Sequence, residues 1–187
     1  MPGSEDRALG GRGRFFFALW PGAGQRRALA RAATGLPETG RAVPPANYHL
    51  TLAFLGDLDR RALDALCRAG EGVPATGGAL WLTRFGGFEA ARVLFAAPAR
   101  CPRWLAERQA LLLDRLASVG YAPQEQHAGF RPHVTLRRRV NLPWPELPPA
   151  IDPAVDWQGS ALALLESPLT SGTPGYRVVW HGGRSVG

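Results

Sequence analysis

The chain has 187 residues, 45% of them hydrophobic and 20% charged, a globular composition long enough for one domain or two small lobes sharing a core. All 22 basic residues are arginine, against 15 acidic ones, for a net charge of +7. The absence of lysine excludes a Schiff-base or pyridoxal site, a Walker A phosphate loop and a lysine-adenylating ligase. The arginine excess favours phosphate-bearing partners, whose oxygens match the guanidinium fork, although arginine replacing lysine on a merely solvated surface reads the same way.

In chain order, residues 1–13 are glycine, arginine and small polar residues without a period and read as a flexible N-terminal tail; residues 14–187 read as one domain. Arg14 to Trp20 is an aromatic strand, too short and too soon broken by Pro21-Gly22 to span a membrane or serve as a signal, so a cytoplasmic protein is expected. Residues 24–33 have helical composition and end at Gly35 and Pro37. Tyr48 to Gly56 is the next strand. Asp57 or Asp59 then caps a helix carrying Leu58, Ala62, Leu63, Leu66 and Ala69.

Ala79 to Phe85 and Arg92 to Ala96 read as two strands around Gly86-Gly87. The strongest helix opens at Pro102 and closes at Gly120. Pro132 to Val140 is a strand, residues 141–156 with five prolines an extended connection, and Ser160 to Glu166 and Tyr176 to His181 are closing strands. The order β-α-β-α-β-β-α-β-β-β points to an α+β fold with a mixed or mostly antiparallel sheet. Cys67 and Cys101 are too few for a disulfide framework or a zinc site and read as reduced thiols.

The two halves rhyme. Each runs from a helix through a loop into a strand that begins with histidine: His49-Leu50-Thr51-Leu52, and 84 residues later His133-Val134-Thr135-Leu136. Strand alternation puts His49 with Thr51 on one face and Leu50 with Leu52 on the other, and likewise in the second motif. With four His and eight Thr in the chain, two such coincidences are a roughly 1% event. Two imidazoles across a cleft suit phosphodiester cleavage without metal, one taking a proton from water and the other giving one to the leaving oxygen. Threonine hydroxyls beside them can hold the non-bridging oxygens. His127 and His181 lack the threonine and read as ordinary surface or edge residues.

These paired motifs, with RFFFAL, NYHLTLAFLGDL, FRPHVTLRR, ES-x-L and GYRVVW around them, resemble the 2H phosphoesterase superfamily, and within it the RNA 2′,3′-cyclic phosphodiesterase (2′-5′ RNA ligase-like) family, over roughly residues 14 to 180. The resemblance implies a bilobal fold, two pseudo-symmetric lobes around a central cleft, with no cofactor. It implies hydrolysis of an RNA or nucleoside 2′,3′-cyclic phosphate to a 2′-phosphate without metal, with reversible 2′-5′ ligation as an associated reaction. His49 then matches the general acid, His133 the general base, and Thr51 and Thr135 the phosphate-binding residues.

An arginine after the second motif matches Arg138, with Arg137 in reserve. Strand parity instead sets Arg137 and Arg139 on the His133 face, and a bulge or the strand's end would reconcile the two. Base stacking is assigned to the first strand, where Phe15 and Phe17 share one face and Phe16 the other; Phe17 is chosen. The partner expected is RNA or a nucleotide with a cyclic phosphate end, with no membrane, and the chain is expected to be a monomer. The alternatives are a 2H enzyme for another small cyclic phosphate or a 2′-5′ oligonucleotide, and a catalytically idle RNA-binding module, against which both motifs are complete. A metal hydrolase lacks a visible ligand set, with Asp57 eight residues after His49 and nothing acidic beside His133, and a serine hydrolase lacks its G-x-S-x-G elbow.

Overall fold

Apolar residues alternating along antiparallel strands need a cover on one face only, and three helices supply it here. A computed structural model of the protein describes residues 11–74, 77–122, 129–158, 160–167 and 175–182. In chain order these form β1 (Arg12–Trp20), α1 (Ala23–Ala33), β2 (Arg41–Ala42), β3 (Leu50–Asp59), α2 (Leu63–Glu71), β4 (Trp81–Leu82), β5 (Arg84–Phe88), β6 (Val93–Ala97), α3 (Arg103–Ser118), β7 (Val134–Arg138), β8 (Val155–Asp156), β9 (Ala161–Ser167) and β10 (Arg177–His181). The fold is α+β. Its main sheet, antiparallel throughout, runs β10-β9-β1-β3-β7-β6-β5, with β2 beside β7; β4 and β8 pair separately.

The helices share one face. Leu29 of α1, Leu66 and Ala69 of α2, and Leu105, Leu112 and Leu116 of α3 form one core with Phe15, Phe17, Leu19, Leu50, Leu94, Ala96, Val134, Leu162 and Leu164. The opposite face carries a smaller apolar cluster of Phe16, Ala18, Ala163 and Leu165, rimmed by Trp20, Phe54, Tyr176 and Val178, with Val93, Phe95 and Ala97 of β6 buried on it beyond β7. An antiparallel sheet tolerates this asymmetry, and the less covered face is where a ligand can lie.

The sheet has two halves, and they meet at one residue pair, Leu50 opposite Val134. The first half is β10, β9, β1 and β3; the second is β7, β6, β5 and β2. This is the bilobal arrangement expected. No helix among the described residues is long and apolar enough to cross a membrane.

Local departures from the expected elements have definite causes. β3 does not stop at Gly56: that glycine, at φ +76, sits beside a bulge that leaves Leu55 unpaired, and the strand runs on to Asp59. Asp59, not Asp57, is the cap, accepting a hydrogen bond from the Arg61 amide at 2.9 Å, while Asp57 pairs across the sheet with Arg14. Gly86 and Gly87 lie inside β5 and are not its turn; a Cβ there would strike the Phe95 or Trp144 ring. The hairpin turns at Glu89–Arg92 instead, closed by the Arg92 amide on the Glu89 carbonyl at 2.9 Å. Glu166, buried at the far end of β9, accepts hydrogen bonds from Arg60 and Arg177 and ties three elements together.

Candidate active site

Each motif starts one residue before the seam. The 3-10 turn Pro45–Asn47 and the buried Tyr48 deliver His49 to the start of β3, and Arg131-Pro132 delivers His133 to β7. Both imidazoles are fixed by the same device. His49 Nδ1–H donates to the carbonyl of Asn47 at 2.7 Å, and His133 Nδ1–H donates to the carbonyl of Arg131 at 2.8 Å. With Nδ1 committed, Nε2 of each ring is the atom free for chemistry.

Pairing Leu50 with Val134 in an antiparallel register sets His49 opposite Thr135 and Thr51 opposite His133. The four side chains share the face away from the helices, since Leu50 and Val134 between them are fully buried in the core. His49 packs on Phe16 of that face, Thr51 lies across from Ala18, and Thr135 lies across from Phe95.

Aromatic rings wall both histidines. His49 lies 4.9 Å from the Phe16 ring, 5.0 Å from Tyr176 and 6.5 Å from Trp20. His133 lies 5.0 Å from Phe88 and 5.2 Å from Phe95. Rings displace water and so disfavour the imidazolium. Burial pushes His49 down to about 4, aided by the nearby Arg138 guanidinium and His133 and opposed by its bond to Asn47. His133 is also lowered, by burial first and then by Arg138, against its bond to the Arg131 carbonyl.

Arg138 thus adds positive charge near both histidines, and a bulge brings it to their face of the sheet. Thr135 pairs with Phe95 and Arg137 with Leu94, so β7 spends two residues where β6 spends one. The extra residue resets the alternation. Arg137 falls on the face of core residue Leu94, where its Nη1 donates to the Thr39 carbonyl at 3.0 Å, and Arg138, opposite Val93, returns to the face of Thr135. Arg137 is thereby corrected from a reserve site residue to a structural one, and Arg139, at φ 55, lies past the strand.

Phe17 is a second correction. Its ring is fully buried on the helix face, 6.2 Å from Trp180, and cannot meet a base in the cleft. Its neighbour Phe16, with Trp20 at the end of the same strand, lies against His49 instead. Sequence pattern alone does not point to the walls Phe88, Phe95, Trp20 and Tyr176. The one signal it holds is the spacing of Phe16, Ala18 and Trp20, which puts all three on one face. His181 sits on the edge strand β10, as expected; His127 lies outside the described residues.

An open sheet face bearing two register-matched H-x-T-x motifs is the arrangement of the two-histidine phosphoesterases. The family model described as LigT-like phosphoesterase matches residues 19–95. The chain is 31% identical over 181 residues to the RNA 2′,3′-cyclic phosphodiesterase of Thermus thermophilus, covering 89% of this chain and 87% of that protein. It is 33% identical over 127 residues to the Escherichia coli protein of the same name, covering 67% and 71%. The crystal structure of E. coli LigT complexed with 3′-AMP superposes with a TM-score of 0.75 at 27% identity, covering 93% of this chain and 100% of that one. The chain belongs to the LigT-like phosphoesterase family, and it is an enzyme, a phosphoric diester hydrolase.

Proposed function

We propose that the enzyme hydrolyses an RNA or nucleoside 2′,3′-cyclic phosphate to the 2′-phosphate, without a metal, as one cytoplasmic bilobal domain formed by residues 14–187. The observation that carries this reading is the Leu50–Val134 seam, whose register gathers two imidazoles and two hydroxyls on one face with Arg138 beside them. The names of the two relatives and the 3′-AMP in the solved one support the substrate class. Among the described residues no group of three or more His, Cys, Asp and Glu is placed to hold a metal ion.

The cyclic phosphate lies between the rings, its non-bridging oxygens on Thr51, Thr135 and Arg138. His133 Nε2 takes a proton from water as the water oxygen bonds to phosphorus. In line, the P–O3′ bond breaks and His49 Nε2 gives its proton to the 3′-oxygen, leaving the 2′-phosphate. Burial depresses both rings, and His49 must be protonated to act as acid. The phosphate anion supplies the attraction that raises it. With a 5′-hydroxyl in place of water the same steps join two strands through a 2′-5′ bond, and the reverse cleaves it.

The test is incubation with 2′,3′-cyclic nucleotides before and after exhaustive EDTA dialysis, products being read by NMR. A 2′-phosphate formed at an unchanged rate is expected. Formation of 3′-phosphate, or loss of activity restored by Zn²⁺ or Mn²⁺, overturns the reading.

A further inference from the structure

Beyond His133, away from His49, the open face deepens into a pocket of about 260 Å³. Its walls are Phe88, Phe95 and Phe130, its floor is glycine and alanine, and Arg84, Arg100 and Arg131 stand around it; no carboxylate is among its lining residues. Arg84 Nε donates to the Pro98 carbonyl at 3.2 Å, which props that guanidinium at the rim, and Arg100 is exposed. The loop from Pro98 to Cys101 leads directly into the N-terminus of α3, adding to the positive potential. Flat rings with arginines above them are the chemistry that holds a base and its phosphate. The volume is just under the ~300 Å³ at which pockets begin to enclose drug-sized ligands, which suits one nucleotide and not a folded RNA.

Water does not need such a pocket. In the proposed reaction, on which this inference rests, His133 stands on the side from which the nucleophile enters, opposite the departing 3′-oxygen. Whatever fills a pocket on that side can present its own hydroxyl to phosphorus in place of water. We propose that this pocket is the subsite for the nucleotide bearing the 5′-hydroxyl, with Arg84 and Arg100 gripping its 3′-phosphate. In joining, the 5′-oxygen bonds to phosphorus, its proton passes to His133, the P–O3′ bond breaks and His49 protonates O3′. Cleavage of a 2′-5′ bond runs these steps backwards, the 3′-hydroxyl attacking and His133 protonating the departing 5′-oxygen. Atoms and protons balance with no other reactant.

The experiment compares two 2′-5′-linked dinucleotides, one with and one without a 3′-phosphate on the downstream nucleotide, alongside a nucleoside 2′,3′-cyclic phosphate. The phosphorylated dinucleotide should be cleaved with the higher kcat/KM. Arg84→Gln and Arg100→Gln should each erode that preference about fivefold, the scale of one exposed charge pair, and Arg100→Glu should erode it further. The salt dependence should flatten by about 0.7 in log–log slope for each phosphate-gripping arginine replaced. Hydrolysis of the cyclic mononucleotide should be unchanged in all three variants. Equal cleavage of the two dinucleotides, no cleavage of either, or a preference indifferent to both arginines overturns the subsite while leaving the hydrolase reading intact. If the arginines instead govern a preference for a cyclic-ended dinucleotide over the mononucleotide, the pocket serves the donor strand and the inference falls. Failure to hydrolyse any cyclic phosphate removes both readings.

Discussion

The two lobes hold their histidines by the same backbone device and surround them with different walls. His49 is enclosed by Phe16, Trp20 and Tyr176, drawn from β1 and from the residue before β10. His133 is flanked by Phe88 and Phe95 from the β5–β6 hairpin, beside the arginine-rimmed pocket. The motifs are chemically near-identical, so a difference between acid and base must come from these surroundings. The strand register thus brings the two histidine–threonine pairs together, whereas the neighbouring strands give each histidine its own surroundings.

The largest expected effect breaks the comparison outright. His49→Ala and His133→Ala should each lower kcat by about 10² to 10⁴ while remaining folded, the usual scale for losing general acid or base catalysis. A substrate with sulfur at the 3′-bridging position then separates the two roles, because a thiolate leaves with little need of a proton. His49→Ala should largely recover on it and His133→Ala should not. The opposite pattern exchanges the roles.

Adjacent phenylalanines of β1 sharpen the contrast between the faces. Phe17→Ala should cost about 3–5 kcal/mol of stability in urea denaturation, as for a core ring, with kcat/KM per folded molecule nearly unchanged. Phe16→Ala opens the His49 enclosure, and its imidazole should titrate closer to the ordinary value by NMR. A Phe17 variant with full stability and a raised KM would return that ring to the substrate.

Acid should expose the depressed His49. Above its ordinary 6.5 the ring is neutral whether the chain is folded or not. Between pH 6.5 and about 4 the unfolded chain takes up a proton that the buried ring refuses, so stability falls as pH falls. The loss from this group is at most about 3 kcal/mol and is complete near pH 4. His49→Gln should lack this component in urea titrations across the window. Wild type and variant declining in parallel would show His49 unperturbed.

The smallest effects concern neighbouring arginines. Arg138→Gln should lower kcat/KM about 10- to 10²-fold, as for a lost hydrogen bond to a charged group, and should raise both imidazole titrations. Arg137→Gln should affect stability and leave kcat/KM within about twofold, since its partner is the Thr39 carbonyl. Equal losses from the two would mean that the bulge does not separate them.

The part of the fold legible in the sequence is the part set by local pattern. Alternation around Leu50 and Val134 identifies both strands, the face shared by each His–Thr pair and the near-symmetry of the halves. Three features are not local. Parity tells that Phe15 and Phe17 share a face, but which face the helices cover is decided by Leu66, Leu105 and their neighbours, far along the chain. Parity likewise misplaces the arginines after His133, because a bulge depends on the partner strand, here Leu94 and Phe95 of β6. The aromatic walls come from β1, β5, β6 and Tyr176, which only the folded sheet brings to the motifs.

The seam at Leu50 and Val134 has a further consequence. Two copies of one small β-rich subunit docked edge to edge would give a similar face, each lending one imidazole and one hydroxyl across a two-fold axis. Such a homodimer would be bound by its symmetry: any wall built around one histidine would be built around the other, and both would titrate alike. Carrying the two halves on one polypeptide lifts that constraint. Trp20 and Tyr176 can enclose His49 alone, and an arginine pocket can open beside His133 alone. Neither half by itself brings two imidazoles to one phosphorus, and because β9 and β10 return to β1 after β7, the chain crosses the seam more than once and no single cut between β3 and β7 would separate the halves.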